Sequence, residues 1–134
     1  MFEIAIDRSR LRRWALLAVL AQLSVRALAG GIALVVDPTG GIVGRSTAGL
    51  AALPIADFRL PGLVLAVGIG GGALLAGVAV WRRHPRGSWA AGAVGVGLLA
   101  WIGLELAIGY GGPTIALNLA TGLALVALAL AESR

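Results

Sequence analysis

Residues 60–81 read LPGLVLAVGIGGGALLAGVAVW, and residues 82–87 follow as RRHPRG. Nothing in the first stretch is charged, and it matches the roughly 20 residues an α-helix needs to cross ~30 Å of hydrocarbon. It is too long for an ordinary strand and shows no period-two alternation. It therefore reads as a helix despite its glycines, which membrane helices tolerate. The basic turn behind it carries Pro85 and Gly87, which stop the helix, and Arg82, Arg83 and Arg86, which mark a cytoplasmic end.

Working outward, three more runs of the same kind appear. Upstream, residues 14–36 form an apolar run that ends at Asp37-Pro38-Thr39-Gly40-Gly41, where an acid, a proline and paired glycines break the helix. Downstream, residues 88–110 form a third run, Gly111-Gly112-Pro113 a tight turn, and residues 114–131 a fourth. The expected architecture is an all-α, integral membrane four-helix bundle formed by a single domain over residues 1–134. The first run follows an Arg cluster, is too long for a signal-peptide core and ends without a clear small-residue cleavage site, so it reads as a retained span.

Arginine sets the expected orientation. There is no Lys; Arg8, Arg10, Arg12 and Arg13 precede the first run, Arg82, Arg83 and Arg86 form the turn, and Arg134 follows the fourth run. Short Arg-rich segments stay inside, which places both termini in the cytoplasm and the chain in the inner (plasma) membrane. Trp14, Trp81 and Trp89 fall at that same boundary, where an indole ring prefers to sit.

Composition agrees and excludes other classes. The 134 residues are 59% hydrophobic and 13% charged, with a mean hydropathy of +0.95, too little polar surface for a soluble domain of this length. A net charge of +5 would fit a nucleic-acid binder, but the arginines border apolar runs and read as topology signal and anionic-lipid contacts, so no nucleic-acid partner is expected. Cysteine is absent, which excludes disulfides, thiolate catalysis and Cys-based metal sites. His84 stands in the basic turn without other ligands around it, and the glycines at 68–72 lack the Lys-Ser/Thr of a phosphate loop. No catalytic, cofactor or metal constellation is complete.

The one long connection runs from Asp37 to Arg59 on the outer side. Ser46 as N-cap and Thr47 to Leu53 as two turns would make a short interfacial helix or lid there. Membrane helices associate through small residues, and three small-residue faces stand out: Gly68, Gly72 and Ala76; Ala91 and Gly95; Ala116, Ala120 and Ala124. They fit contacts within the chain or between chains.

Arg26 and Glu105 are ionisable groups inside apolar runs, costly at bilayer depth and hence candidate functional residues. Gln22, Arg26 and Gly30 recur every four residues on one face of the first helix, with Ala15, Ala18, Ala29 and Ala33 beside that stripe. Asn118 and Thr121 share a face of the fourth helix, and Ser24 adds a hydroxyl to the first. Counted from the run boundaries, Glu105 and Asn118 lie ~7 Å and Arg26 ~15 Å below the outer surface at ~1.5 Å per residue, a gap an arginine can span. An Arg26–Glu105 pair with Asn118 as third partner is the expectation. The cluster of Gln22, Arg26, Glu105 and Asn118 then reads as a structural ion pair, as a ligand, ion or proton site, or as separate groups with one snorkelling to the interface.

Asp37-Pro38-Thr39-Gly40, Asp57-Phe58-Arg59-Leu60-Pro61-Gly62 and Trp101-Ile102 resemble segments of a group of small, uncharacterised bacterial membrane proteins with four spans, loosely similar to DoxX-like proteins. The resemblance implies the same four-helix architecture and no particular chemistry. Where those proteins carry Gln in the third span, this chain carries Glu105. The expected function is a non-catalytic structural or accessory subunit of a membrane assembly, embedded in the lipid bilayer beside a larger membrane protein or further copies of itself. The alternative is a small transporter or a lipid- or ligand-binding bundle working through Arg26, Glu105 and Asn118. A membrane enzyme ranks last, because no nucleophile has an adjacent base.

Overall fold

The computed structural model describes residues 8–41, 57–107 and 113–132, and every regular element among them is helical. Four helices fall on the four apolar runs: α1 (Arg8–Val36), α2 (Arg59–Trp81), α3 (Gly87–Ala107) and α4 (Pro113–Glu132). Three of them, Arg10–Val36, Arg59–Trp81 and Gly87–Ala107, are long and apolar enough to cross a membrane, and the apolar part of α4, Ile115–Ala131, is shorter. Each helix packs on two others, α1 on α2, α2 on α3, α3 on α4 and α4 back on α1.

The shared interior is built from medium and small side chains. Leu16, Leu20, Leu23, Ala73, Ala91, Leu98 and Leu125 are all buried. The outside is apolar too: Val25, Val67 and Leu75 are about 70% exposed and Leu130 60%. So continuous an exposed apolar surface suits lipid rather than water.

α1 begins in the polar leader, so that Arg10, Arg12 and Arg13 ride on its first turns. It ends where sequence chemistry says it must. Asp37 Oδ1 accepts bonds from Thr39 N (3.2 Å) and Thr39 Oγ1 (2.6 Å), and Gly40 turns the chain with a φ of 83°. Phe58 N donates to Pro38 O at 2.8 Å, so the start of α2 is fastened to the end of α1. The short helix or lid expected over residues 46–53 lies outside the described residues.

α2 is not a uniform α-helix. Arg59–Leu63 and Gly72–Trp81 are α-helical, but Val64–Gly71 winds as a π-helix. Four glycines between 68 and 72 weaken the α-helical preference there. Ser24 Oγ donates to Gly70 O at 3.0 Å, a buried bond that gives this backbone a partner on α1.

Glycines then set how closely the helices approach. A Cβ on Gly31 would lie 2.5 Å from Ala66 N and 2.6 Å from Gly62 O, and one on Gly62 would lie 2.8 Å from Gly31 O. The α1–α2 crossing is thus backbone against backbone, which only Gly permits. Between α3 and α4, a Cβ on Gly95 would meet Leu125 Cβ at 2.9 Å and one on Gly122 would meet Leu99 Cδ2 at 2.8 Å.

These contacts correct the expected small-residue faces. Ala91 and Gly95 are buried as expected, but Gly68 is exposed and Gly72 half-buried. Ala76 is buried as expected, but the face of α2 that meets α1 continues through Gly70, Ala66 and Gly62, spaced four apart on the same side of the helix, and Gly68 lies on the other side. On α4, Ala116 and Ala120 are exposed, and Thr121, Gly122 and Leu125 face inward instead. On α1, Ala18 and Ala29 also face outward.

The turn from α2 to α3 is a Schellman cap: Arg83 N donates to Val80 O (3.1 Å) and His84 N to Ala79 O (2.9 Å), with Arg83 at a φ of 56°. His84 Nδ1 accepts from Arg86 N at 3.0 Å, so this histidine holds the turn. Arg13 reaches across from α1 and donates to Val80 O (3.2 Å) and Trp81 O (2.8 Å), two carbonyls at the end of α2. Its guanidinium lies 5.8 Å from the Trp14 ring and 5.7 Å from the Trp81 ring, which themselves meet edge-to-face at 5.8 Å.

Candidate functional site

The polar residues of α1 and α4 meet as one network. Arg26 projects from α1 with neighbours above and below it on the same face, and its Nε donates to Gln22 Oε1, one turn earlier, at 2.7 Å. Across the interface its Nη1 donates to Asn118 Oδ1 at 2.6 Å and its Nη2 to Thr121 Oγ1 at 3.1 Å. Asn118 and Thr121 stand three residues apart on α4, the spacing that puts both on the face toward α1.

Each partner is itself held. Thr121 Oγ1 donates to Leu117 O in its own helix at 2.9 Å, which leaves both lone pairs to accept from α1. The second of those acceptances is from Gln22 Nε2 at 3.4 Å, and Gln22 Nε2 also donates to Val19 O at 3.0 Å. The Gln22 amide is therefore oriented with its oxygen toward the guanidinium. Three hydrogen bonds fix Arg26, all to neutral side chains. These bonds fix the position and orientation of the guanidinium.

The guanidinium faces a cleft of about 250 Å³ lined by residues of α1, α2, α3 and α4 and partly open to the outside. Arg26, Glu105 and Asn118 are its polar lining, and Leu23, Leu65, Leu98 and Trp101 supply much of its apolar wall. Glu105 is 5% exposed. Gly30 also borders the space, and a Cβ there would touch Leu65 Cδ2 at 3.5 Å, so the missing side chain leaves room rather than avoiding a clash.

Arg26, Glu105 and Asn118 thus come together in one cavity, and Gln22 joins through its bond to Arg26. The expected order of contacts changes, however. The hydrogen bonds of Arg26 run to Gln22, Asn118 and Thr121, and Glu105 shares the cavity with it. The reason is directional: Asn118 and Thr121 face α1 directly, whereas Glu105 projects from α3, which stands diagonally across the bundle from α1. Two contributors stood outside the expected cluster. Thr121 ranked only as a neighbour of Asn118, and Trp101 becomes a wall residue because it stands four residues before Glu105 on one face of α3. Ser24, expected near the cluster, turns instead to Gly70 O. Among the described residues no group of three or more His, Asp or Glu side chains is placed to hold a metal ion.

No family model, no curated protein and no solved structure matches this chain. The arrangement of its own residues therefore carries the functional reading.

Proposed function

We propose that the chain is a multi-pass membrane protein of four crossings, both termini cytoplasmic, whose cavity between the helices binds a small amphipathic ligand. The ligand's acceptor-bearing or anionic head lies on Arg26 and Asn118, and its apolar body on Leu23, Leu65, Leu98 and Trp101. The carrying observation is Arg26: three neutral side chains fix its guanidinium at the edge of a cavity of about 250 Å³. A cation held at bilayer depth is costly, and a preorganised one facing a mostly apolar cavity with few polar groups is the usual build of a ligand site. The Arg-rich end, with Arg13, Trp14 and Trp81 locked together, supports the orientation. The resemblance of residues 37–40 and 57–62 to small bacterial four-span proteins of loosely DoxX-like type supports the same membrane reading.

Binding raises apparent stability by mass action, which gives the test. A phospholipid-free small-molecule extract of the source membrane, added to the detergent-purified protein, raises the unfolding temperature of the wild type and leaves that of Arg26→Ala unchanged. An equal rise in both proteins removes the site.

A second reading, an accessory subunit of a larger membrane assembly or a homo-oligomer, draws on a different observation. Ala116 and Ala120 on α4 are exposed, and a Cβ on Gly97 or Gly103 of α3 meets nothing within 4 Å. Such faces suit close approach by another membrane helix. Ala120→Leu should then release a partner while leaving the isolated chain as stable as before.

A further inference from the structure

A second groove lies between α1 and α2, toward the Arg-rich end and apart from the Arg26 cavity. It measures about 240 Å³ and is almost wholly apolar, with Leu17, Leu20 and Ser24 on one wall, Ala73 and Gly77 on the other, and Trp81 at its head. Gly77 creates much of the space: a Cβ built there has only Leu20 Cβ near it, at 3.9 Å. The Trp81 ring that closes the groove carries the Arg13 guanidinium 5.7 Å from its centre. Two of the five Arg13 N–H groups are committed to Val80 O and Trp81 O, which hold the charge in place without cancelling it. Arg82 follows Trp81 directly and is exposed.

We infer that this groove seats one acyl chain of an anionic phospholipid, with the lipid phosphate on Arg13 and Arg82. The complementarity is of both kinds. An apolar channel ends at an indole ring, the side chain that prefers the level of the headgroups, and a fixed positive charge sits where a headgroup phosphate would be. A zwitterionic lipid could fill the same channel but would gain less from the arginines. The inference rests on the membrane reading and not on ligand binding beside Arg26, so either can fail alone.

The test is native mass spectrometry of the delipidated protein in mild detergent, titrated with phosphatidylglycerol or phosphatidylcholine of identical chains. One phosphatidylglycerol binds more tightly than phosphatidylcholine, and Arg13→Gln lowers that preference roughly five-fold, the equivalent of about 1 kcal/mol for one arginine near the surface. Gly77→Leu, which fills the groove, removes the tight adduct, while Gly30→Leu at the other cavity retains it. Equal affinity for the two lipids, or an adduct that survives Gly77→Leu, overturns the inference. Should either variant fail to fold, the wild type decides by tryptophan quenching in mixed bilayers with brominated chains. Brominated phosphatidylglycerol then quenches more than its mole fraction dictates, and quenching equal to that by brominated phosphatidylcholine counts against the site.

Discussion

Arg26 Nη1 lies 2.6 Å from Asn118 Oδ1, a charge-assisted bond that ties α1 to α4. Such bonds inside membrane proteins couple by about 0.6 kcal/mol on average and up to about 1.7 kcal/mol, because the separated helices find other partners. A double-mutant cycle with Arg26→Met and Asn118→Leu is expected to give a favourable coupling of about 1 kcal/mol when unfolding is followed in bicelles. A coupling near zero would show that the two side chains are neighbours without being partners.

The glycines divide sharply into those that carry helix contacts and those that do not. Gly31→Ala brings a methyl group within 2.5 Å of Ala66 N and is expected to cost at least about 2 kcal/mol, as overpacking of a rigid contact does. Gly68→Ala meets only Val64 Cγ1, at 3.8 Å, and should be neutral or stabilising by up to about 1 kcal/mol. Comparing the two unfolding temperatures decides the matter, and equal losses would mean that α2 presents a different face to α1.

Arg83 caps α2 with a φ of 56°, a conformation that favours glycine. Replacing it by Gly relieves backbone strain and is expected to stabilise the protein by about 0.5–1 kcal/mol. A fall in unfolding temperature for Arg83→Gly would place the value of this residue in its charge rather than in its cap.

Much of this arrangement was legible in the sequence, and the reasons for what was not are physical. Four apolar runs and their breakers located the helices, because helix length and charge placement are fixed by simple energetics. The four-residue spacing of Gln22 and Arg26 and the three-residue spacing of Asn118 and Thr121 identified the two polar faces that meet. Counting could not choose between the two small-residue stripes of α2, and the one that meets α1 is Gly62, Ala66 and Gly70, while Gly68 is exposed. Nor could it rank the partners of Arg26: depth brought Glu105 within reach, but the order in which the helices adjoin gave the hydrogen bonds to α4.

Orientation has a convenient test, because the chain contains no cysteine. Single cysteines replacing Thr39 and His84, both outside the apolar runs and at opposite ends of α2, should label differently in intact cells. A membrane-impermeant maleimide is expected to modify the residue at 39 directly and the residue at 84 only after the membrane is opened. The reverse pattern would invert the topology.

Filling the cavity separates ligand binding from helix packing. Gly30→Leu extends a side chain into space bordered by Leu65 Cδ2 without touching the bonds of Arg26. The variant should fold as well as the wild type yet show no stabilisation by the phospholipid-free membrane extract. Undiminished stabilisation would move the ligand elsewhere.

The most direct measurement is the intact-complex mass spectrum of the protein released from its native membrane in a mild detergent, wild type beside Arg26→Ala. Ligand binding at Arg26 predicts a discrete small-molecule mass on the wild type that disappears from the variant. A small-molecule adduct other than phospholipid that is unchanged in Arg26→Ala would contradict it. So would a bare chain, or a chain whose added mass is only a second protein at fixed stoichiometry.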